Sequence, residues 1–389
     1  MTTRSAKNPV KKVPLLDVNR ANEPIRAEMQ DALARVLESG RFLHGPDVSQ
    51  LEKSVATLCR VDHAVGCASG SDALLLSLMA MQIGPGDEVI VPSFTFFATA
   101  SAVWRLGARI VFADIEPQTF NLDPKHVERV VTADTKAIIP VHLFGQCVEM
   151  DVLCELARRY GIRVVEDAAQ AIGAEYLGRP AGAWGDVGCF SFYPTKNLGG
   201  CGDGGMLTTN DVTLNEQLRM MAAHGMSHRY YHKVVGINSR LDTFQAAALN
   251  VKLQRFDAWT AQRQANALQY EEMFTEAGMD RVMGLPRVAP NRNHVWNQYT
   301  IRVPGGRRDA LRENLSERGI GTEIYYPHPL HQQACFASLD YGLGSLPETE
   351  KAASEVLSLP IFPGLTVDEQ RYVVQCTREF FAHRHASAA

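Results

Sequence analysis

Absences set the first limits. No two of the eight cysteines (Cys59, Cys67, Cys147, Cys154, Cys189, Cys201, Cys335, Cys376) are spaced C-x-x-C. That argues against a zinc ribbon, an iron–sulfur cluster or a disulfide scaffold, and it suits a reducing cytoplasm. The longest apolar stretch, Ala73 to Met81, is interrupted by Ser77 and reaches about half of what a membrane span requires. The opening residues are basic but lack the apolar core of a signal peptide. A soluble chain with a flexible tail over residues 1–13 is the expectation. A formal net charge of −4 gives no general reason to expect nucleic acid or an anionic membrane as partner. The strand-to-helix junction at Ala68–Ala73 carries no G-x-G-x-x-G, and no glycine is followed at P-loop spacing by Lys-Ser/Thr. Internal repeats and low-complexity blocks are missing too.

What is present alternates. From His63 onward, strand-like runs (Ala64–Cys67, Glu88–Val91, Arg109–Phe112, Ala137–Val141, Arg163–Val165, Gly188–Phe192, Gly205–Thr208) are interleaved with helical ones. Such alternation implies an α/β protein with a mostly parallel sheet covered by helices on both faces. A chain of 389 residues suits two domains of about 100–200 residues or more each. Residues 14–258 are expected to form the large domain, with 14–46 packing toward the small one. The boundary falls near Trp259, inside a long helical stretch from Leu241 to about Ala277 that breaks once. Residues 259–389 read as a smaller α+β domain, with strands at Trp296–Val303 and Thr322–Tyr326. A closing helix over Val367–Phe381 follows, with Thr366 and Glu369 spaced as a capping box.

The stretch from Val164 to Met206 carries the chemistry. Asp167 closes an apolar run, Ile162 to Val165, that reads as a buried strand. An acid at the carboxyl end of such a strand sits where open α/β sheets place their ligands. Lys196 follows among small residues in Ser191-Phe192-Tyr193-Pro194-Thr195-Lys196-Asn197-Leu198-Gly199-Gly200. This pairing suits pyridoxal phosphate, which needs an amine for its Schiff base and an acid for its pyridine nitrogen. A solvated lysine and a helix-capping aspartate would look the same, so other motifs must decide.

Four further features bear on this. Ala68-Ser69-Gly70-Ser71-Asp72-Ala73 leaves a strand and opens a helix, where free N–H groups and the helix dipole favour an anion. A plain serine-capped helix fits the same letters. In Pro92-Ser93-Phe94-Thr95-Phe96-Phe97-Ala98-Thr99, Phe96 offers a face for a flat ring, although core packing is the default for phenylalanine. Gln170 shares a helical face with Asp167 and reaches toward the ring's phenolic oxygen, and Ser191 is near enough to Lys196 to contact a phosphate. In Gly236-Ile237-Asn238-Ser239-Arg240-Leu241-Asp242, Asn238 and Arg240 suit phosphate or carboxylate, or else a helix cap and a solvated arginine. No metal is expected. His224, His228 and His232 recur every four residues, but Gly225 makes a helical ligand face improbable. His328 and His331, in a proline-rich loop, read as pocket-lining residues.

Together these motifs resemble the DegT/DnrJ/StrS family of PLP-dependent nucleotide-sugar aminotransferases over roughly Pro14 to Phe381. The most specific parts are Ser69-Gly70-Ser71-Asp72-Ala73-Leu74, Pro92-Ser93-Phe94-Thr95-Phe96, Glu166-Asp167-Ala168-Ala169-Gln170 and Phe192-Tyr193-Pro194-Thr195-Lys196-Asn197-Leu198-Gly199. The resemblance implies a type I PLP aminotransferase fold with a seven-stranded sheet, and a homodimer with shared active sites. It makes Lys196 the Schiff-base lysine, Asp167 the pyridinium partner and Gln170 the contact of the phenolic oxygen. Phe96 stacks on the ring, while Gly70, Ser71, Ser191 and the neighbouring subunit's copy of Asn238 hold the phosphate. The substrates it implies are glutamate and a nucleotide-linked ketosugar for amino-sugar and polysaccharide biosynthesis. Gly236–Asp242 and Tyr326-Pro327-x-Pro329-Leu330 look nearest to enzymes aminating C3, including a UDP-2-acetamido-3-keto-glucuronate subgroup. Arg240, Tyr325 and Tyr326 are then substrate contacts. Tyr325 replaces a histidine found in some members, which puts the glucuronate in question.

The expected reaction has two stages, with Lys196 both anchoring the cofactor and moving a proton. Two rivals are a PLP-dependent sugar dehydratase of the same fold and a regulatory protein that holds PLP without turnover.

Overall fold

The computed structural model describes residues 12–385. The expected tail therefore lies outside the described residues, except at its end. There Val13 is fully buried and pairs with Ile320.

Seven strands form the central sheet: β1 (His63–Cys67), β2 (Glu88–Pro92), β3 (Arg109–Ala113), β4 (Thr135–Ile138), β5 (Arg163–Asp167), β6 (Val187–Ser191) and β7 (Gly205–Thr209). Their spatial order is β1-β7-β6-β5-β4-β2-β3. All neighbours run parallel except at β7, which is antiparallel to both β1 and β6. Successive residues of a strand enter different cores. Ile90, Val111 and Val164 belong to one apolar cluster, while Val89, Val91, Ile110, Phe112 and Val165 belong to another. Burial on both faces accounts for the near-continuous apolar runs.

A third core, with Tyr270, Tyr299, Leu311, Leu357 and Val373, lies around a two-stranded antiparallel sheet, Tyr299–Arg302 with Val356–Leu359. The long helical stretch does break once, into Thr243–Leu253 and Phe256–Glu276. Phe256 belongs to the first core and Ala267, Tyr270 and Phe274 to the third, so the crossing falls within that second helix. Ahead of the sheet, Leu16 and Arg20 meet the third core, Arg20 bonding to Glu369 at 2.8 Å. The helix Arg26–Ser39 and the residue ahead of it instead pack Ile25, Met29, Ala32 and Val36 onto Ala247, Ala248 and Val251.

One expected strand fails. Thr322–Tyr326 forms only a single bridge, Glu323 to Ser358. The Ile324 N–H donates to the Glu323 carboxylate at 2.8 Å instead of to a neighbouring strand, and Pro327 lacks a ladder donor altogether. The capping box is present: Glu369 N–H donates to Thr366 Oγ1 at 3.2 Å, and Thr366 N–H donates back to Glu369 Oε2 at 2.8 Å.

Candidate active site

The acid and the lysine meet because their strands are neighbours. Asp167 ends β5, Cys189 of β6 pairs with it, and two residues later β6 runs out into the Lys196 loop. Asp167 is 6% exposed. Thr99 Oγ1 donates to its Oδ2 at 2.8 Å and Ala169 N–H to its Oδ1 at 3.2 Å. Burial pushes the Asp167 pKa up, opposed by those two donors and by the Lys196 charge. Its hydrogen-bond donors are both uncharged. Burial likewise lowers the Lys196 amine to about 8, with the Asp167 carboxylate pulling the other way. An amine at that value carries a substantial neutral fraction near neutral pH, the state a nucleophile or base requires.

Gln170 is buried on the turn after Asp167. Phe144 N–H donates to its Oε1 at 2.7 Å, which leaves the Nε2 group as the donor, set 3.3 Å from the Tyr326 hydroxyl. Phe96 is 58% exposed at the start of the Phe97–Arg105 helix, its ring 6.3 Å from that of Tyr326. Burial raises the Tyr326 phenol well above its usual range. These residues form one group around the carboxyl ends of β2 and β5.

Beside them lies the opening of the helix Gly70–Ala80. Ser69, not Ser71, is its cap, accepting from Asp72 N–H at 3.1 Å. The N–H groups of Gly70 and Ser71 then have no partner within the helix. A Cβ on Gly70 would meet the Ser191 Cβ at 2.7 Å, so only glycine lets β6 come this close to the turn. Ala68 N–H donates to Ser239 Oγ at 3.0 Å, tethering the Asn238–Arg240 loop next to it. Asn238 is exposed and accepts from Arg240 Nη2 at 2.6 Å. Tyr325 is half-buried, its ring 5.9 Å from Tyr326, and lines a cleft with Thr195, Asn297 and Gln298.

Three participants escaped the sequence reading. Thr99 was visible only as the last letter of the aromatic motif. The Phe144 N–H, which fixes the Gln170 amide, is a backbone group and has no letter at all. The third is a buried pair behind the site: His142 Nε2 lies 2.8 Å from Glu166 Oε2, and both side chains are fully buried. Val148 N–H donates to His142 Nδ1 at 3.1 Å, so the ring proton sits on Nε2 and is given to Glu166. The histidines read as pocket-lining are otherwise employed. His331 is buried against Ser93 and Glu350, and the exposed His328 faces the Gln332 carbonyl. Among the described residues no group of three or more His, Cys, Asp or Glu side chains is placed to hold a metal ion, and no helix is long and apolar enough to cross a membrane.

Comparison with known proteins places this geometry. The chain is 50% identical over 371 residues to a "Pleiotropic regulatory protein" of Geobacillus stearothermophilus, covering 95% of this chain and 99% of the other. It is 47% identical to the dTDP-3-amino-3,4,6-trideoxy-alpha-D-glucose transaminase of Streptomyces venezuelae (95% and 96% covered). It is 42% identical to the UDP-2-acetamido-2-deoxy-3-oxo-D-glucuronate aminotransferase of Pseudomonas aeruginosa (91% and 96%). Among solved structures, S. venezuelae DesV in complex with a ketimine intermediate superposes with a TM-score of 0.92 at 46% identity, covering 95% of this chain and 99% of that one. Bacillus subtilis NtdA with bound cofactor PMP does so with a TM-score of 0.89 at 32% identity (96% and 87%). The model of the DegT/DnrJ/EryC1/StrS aminotransferases matches residues 23–378, and with the relatives at these identities it makes this chain a member of that family.

Proposed function

We propose that this protein is a PLP-dependent aminotransferase that moves an amino group from glutamate to a nucleotide-linked ketosugar, at its 3-keto position. The observation that carries the reading is the Lys196 amine, lowered to about 8, in the field of the buried Asp167. The names of the relatives support the substrate class and the carbon. Their nucleotides differ, dTDP in one and UDP in the other.

The residues fit pyridoxal phosphate. A buried carboxylate with only neutral donors calls for a cationic N–H, and a pyridinium supplies one. Gln170 is oriented as a donor, as a phenolic oxygen requires. Gly70 and Ser71 N–H, the Ser191 hydroxyl and Asn238 suit a phosphate, with Asn238 donated across a homodimer interface. The exposed Tyr230, Tyr231 and Val235 near that loop (76%, 65% and 90%) support such an interface.

When bound, the cofactor supplies a covalent anchor for the amino group and an electron sink for the carbon that loses its proton. The remaining work is done by side chains. Asp167 would hold a proton at the ring nitrogen, with Thr99 and Ala169 donating to its carboxylate and opposing the effect of its burial. Lys196 would anchor the cofactor covalently at rest and, once displaced, would move a proton between the donor's α-carbon and the cofactor's C4′ carbon. Phe96 would offer its face to the ring.

The test is purified protein with glutamate and a panel of nucleotide-linked ketosugars, read by mass spectrometry. An aminosugar and one equivalent of 2-oxoglutarate are expected. Sugar deoxygenation without 2-oxoglutarate would indicate a dehydratase. No conversion of bound cofactor by glutamate would indicate a regulator, the role that the Geobacillus relative's name suggests for that protein.

A further inference from the structure

His331 lies behind the site, and its contacts reach the two segments that face the cofactor. Ser93 is the first residue after β2, three before Phe96. Its carbonyl accepts from Leu330 N–H at 2.9 Å and its Oγ accepts from His331 N–H at 3.0 Å. The same Oγ is 2.7 Å from His331 Nδ1. The Glu350 carboxylate beside Nε2 can only accept, which places the ring proton on Nε2, so Nδ1 accepts from the Ser93 hydroxyl. Nε2 then donates to Glu350 Oε1 at 3.3 Å.

Glu350 is itself anchored. Gly344 N–H donates to it at 2.8 Å and Leu346 N–H at 3.4 Å. The helix Pro347–Glu355, on which it sits, is capped by Asp114 just past β3, which accepts from Glu348 and Thr349 N–H at 3.0 and 2.8 Å. Ser93, His331 and Glu350 thus link the exits of β2 and β3 to the chain segment 326–331. Within that segment Pro327 and Pro329 restrict the backbone between His331 and Tyr326. The ring of Phe94 also meets Tyr326 edge-on at 6.1 Å. A shift at Ser93–His331 therefore passes to the gap between Phe96 and Tyr326.

We propose that His331 is a positioning residue: clamped between Ser93 and Glu350, it holds the Tyr326 segment against the Phe96 connection and so sets the wall that grips the cofactor. The inference rests on the reading of Phe96 as the face that meets the cofactor ring, with Tyr326 beside it at 6.3 Å between ring centres.

Pyridoxamine phosphate, the form held without a covalent bond, is the probe. Its release on dilution is followed by fluorescence, alongside its absorbance maximum and the protein's melting temperature. His331→Gln keeps a donor near Glu350 and loses the Ser93 link, whereas His331→Asn keeps an acceptor facing Ser93. Ser93→Ala and His331→Gln are expected to release the cofactor about tenfold faster, the scale of one or two buried hydrogen bonds. His331→Asn is expected to stay within about twofold of native and thus rescue the clamp. A lower melting temperature with native release and absorbance would reduce His331 to a folding residue and overturn the proposal, as would equal release from the Asn and Gln variants. Should His331→Gln fail to fold, Ser93→Ala, which retains the Leu330 backbone bond, decides alone. Native protein that takes up no cofactor would overturn the functional reading and this inference with it. Native uptake with unchanged variant release overturns only the inference.

Discussion

Two acids stand side by side at the end of β5 and face opposite ways. Glu166 points into the first core, where it takes four N–H donors: His142 at 2.8 Å, Gly182 at 2.9 Å, and Trp184 and Gly185 at 2.7 Å. Asp167, one residue on, takes two. Both are buried. A carboxylate that has been given a full shell of donors belongs to the frame, because nothing further is needed to keep its charge there. One that is buried with a partial shell retains a demand for positive charge. The difference in supply, not in burial, separates the structural acid from the chemical one.

That contrast can be broken at several points. Lys196→Arg, on the chemical side, is expected to lower transamination about 10³-fold or more, the scale of a lost acid–base group, with the melting temperature nearly unchanged. Asp167→Asn should cost about 10²-fold or more in the same assay by withdrawing charge from the developing transition state. Glu166→Gln should behave in the opposite manner. An amide there meets N–H groups with N–H, and about 3 kcal/mol of stability is expected to go, while the folded fraction turns over near the native rate. If Glu166→Gln kept its denaturation midpoint and lost turnover, the division of labour drawn above would be wrong.

Thr99→Val gives a finer cut. Losing that donor leaves burial less opposed and raises the Asp167 pKa further. The acid limb of the rate profile should move to higher pH, with about a tenfold loss at neutral pH. The sign for stability follows: the native state holds a proton that the unfolded chain has given up, so stability falls as pH rises from the usual carboxylate value of 3.8 toward the folded one. The smallest effect is on the apo-protein. Borohydride-fixed labelling of Lys196 by pyridoxal phosphate should climb through about pH 8 and level off above it. Between there and 10.5 the unfolded chain binds the extra proton, so Lys196 makes the fold more stable as pH rises.

The seven strands of the central sheet, their alternation with helices and the motifs that hold Lys196, Asp167, Gln170 and Phe96 were legible because each has a letter and a fixed spacing. The helices Pro124–Val130 and Pro347–Glu355, and the strand Val356–Leu359, were not. The first is a seven-residue helix capped by Asp123 and opened by Pro124, too short to show a clear apolar period. The other two abut without a breaker, and tertiary pairing with Tyr299–Arg302 decides where helix gives way to strand. The hairpin pairing Met226–His228 with Tyr231–His232 hid in a polar loop. Within the site, what was missed is relational. Nothing in the letters says that Ser69 rather than Ser71 caps the helix, that Thr99 reaches Asp167, or that His331 faces inward to Ser93.

The hydrogen-bonded adjacency of β5 and β6 has a consequence for how such enzymes diversify. The carboxylate and the amine ride on one pleated slab, whereas Leu16, Trp259 and Tyr325 arrive from outside it. A chimaera that kept this slab and borrowed the segments carrying Leu16, Trp259 and Tyr325 from a relative would inherit an intact reaction and a new guest list.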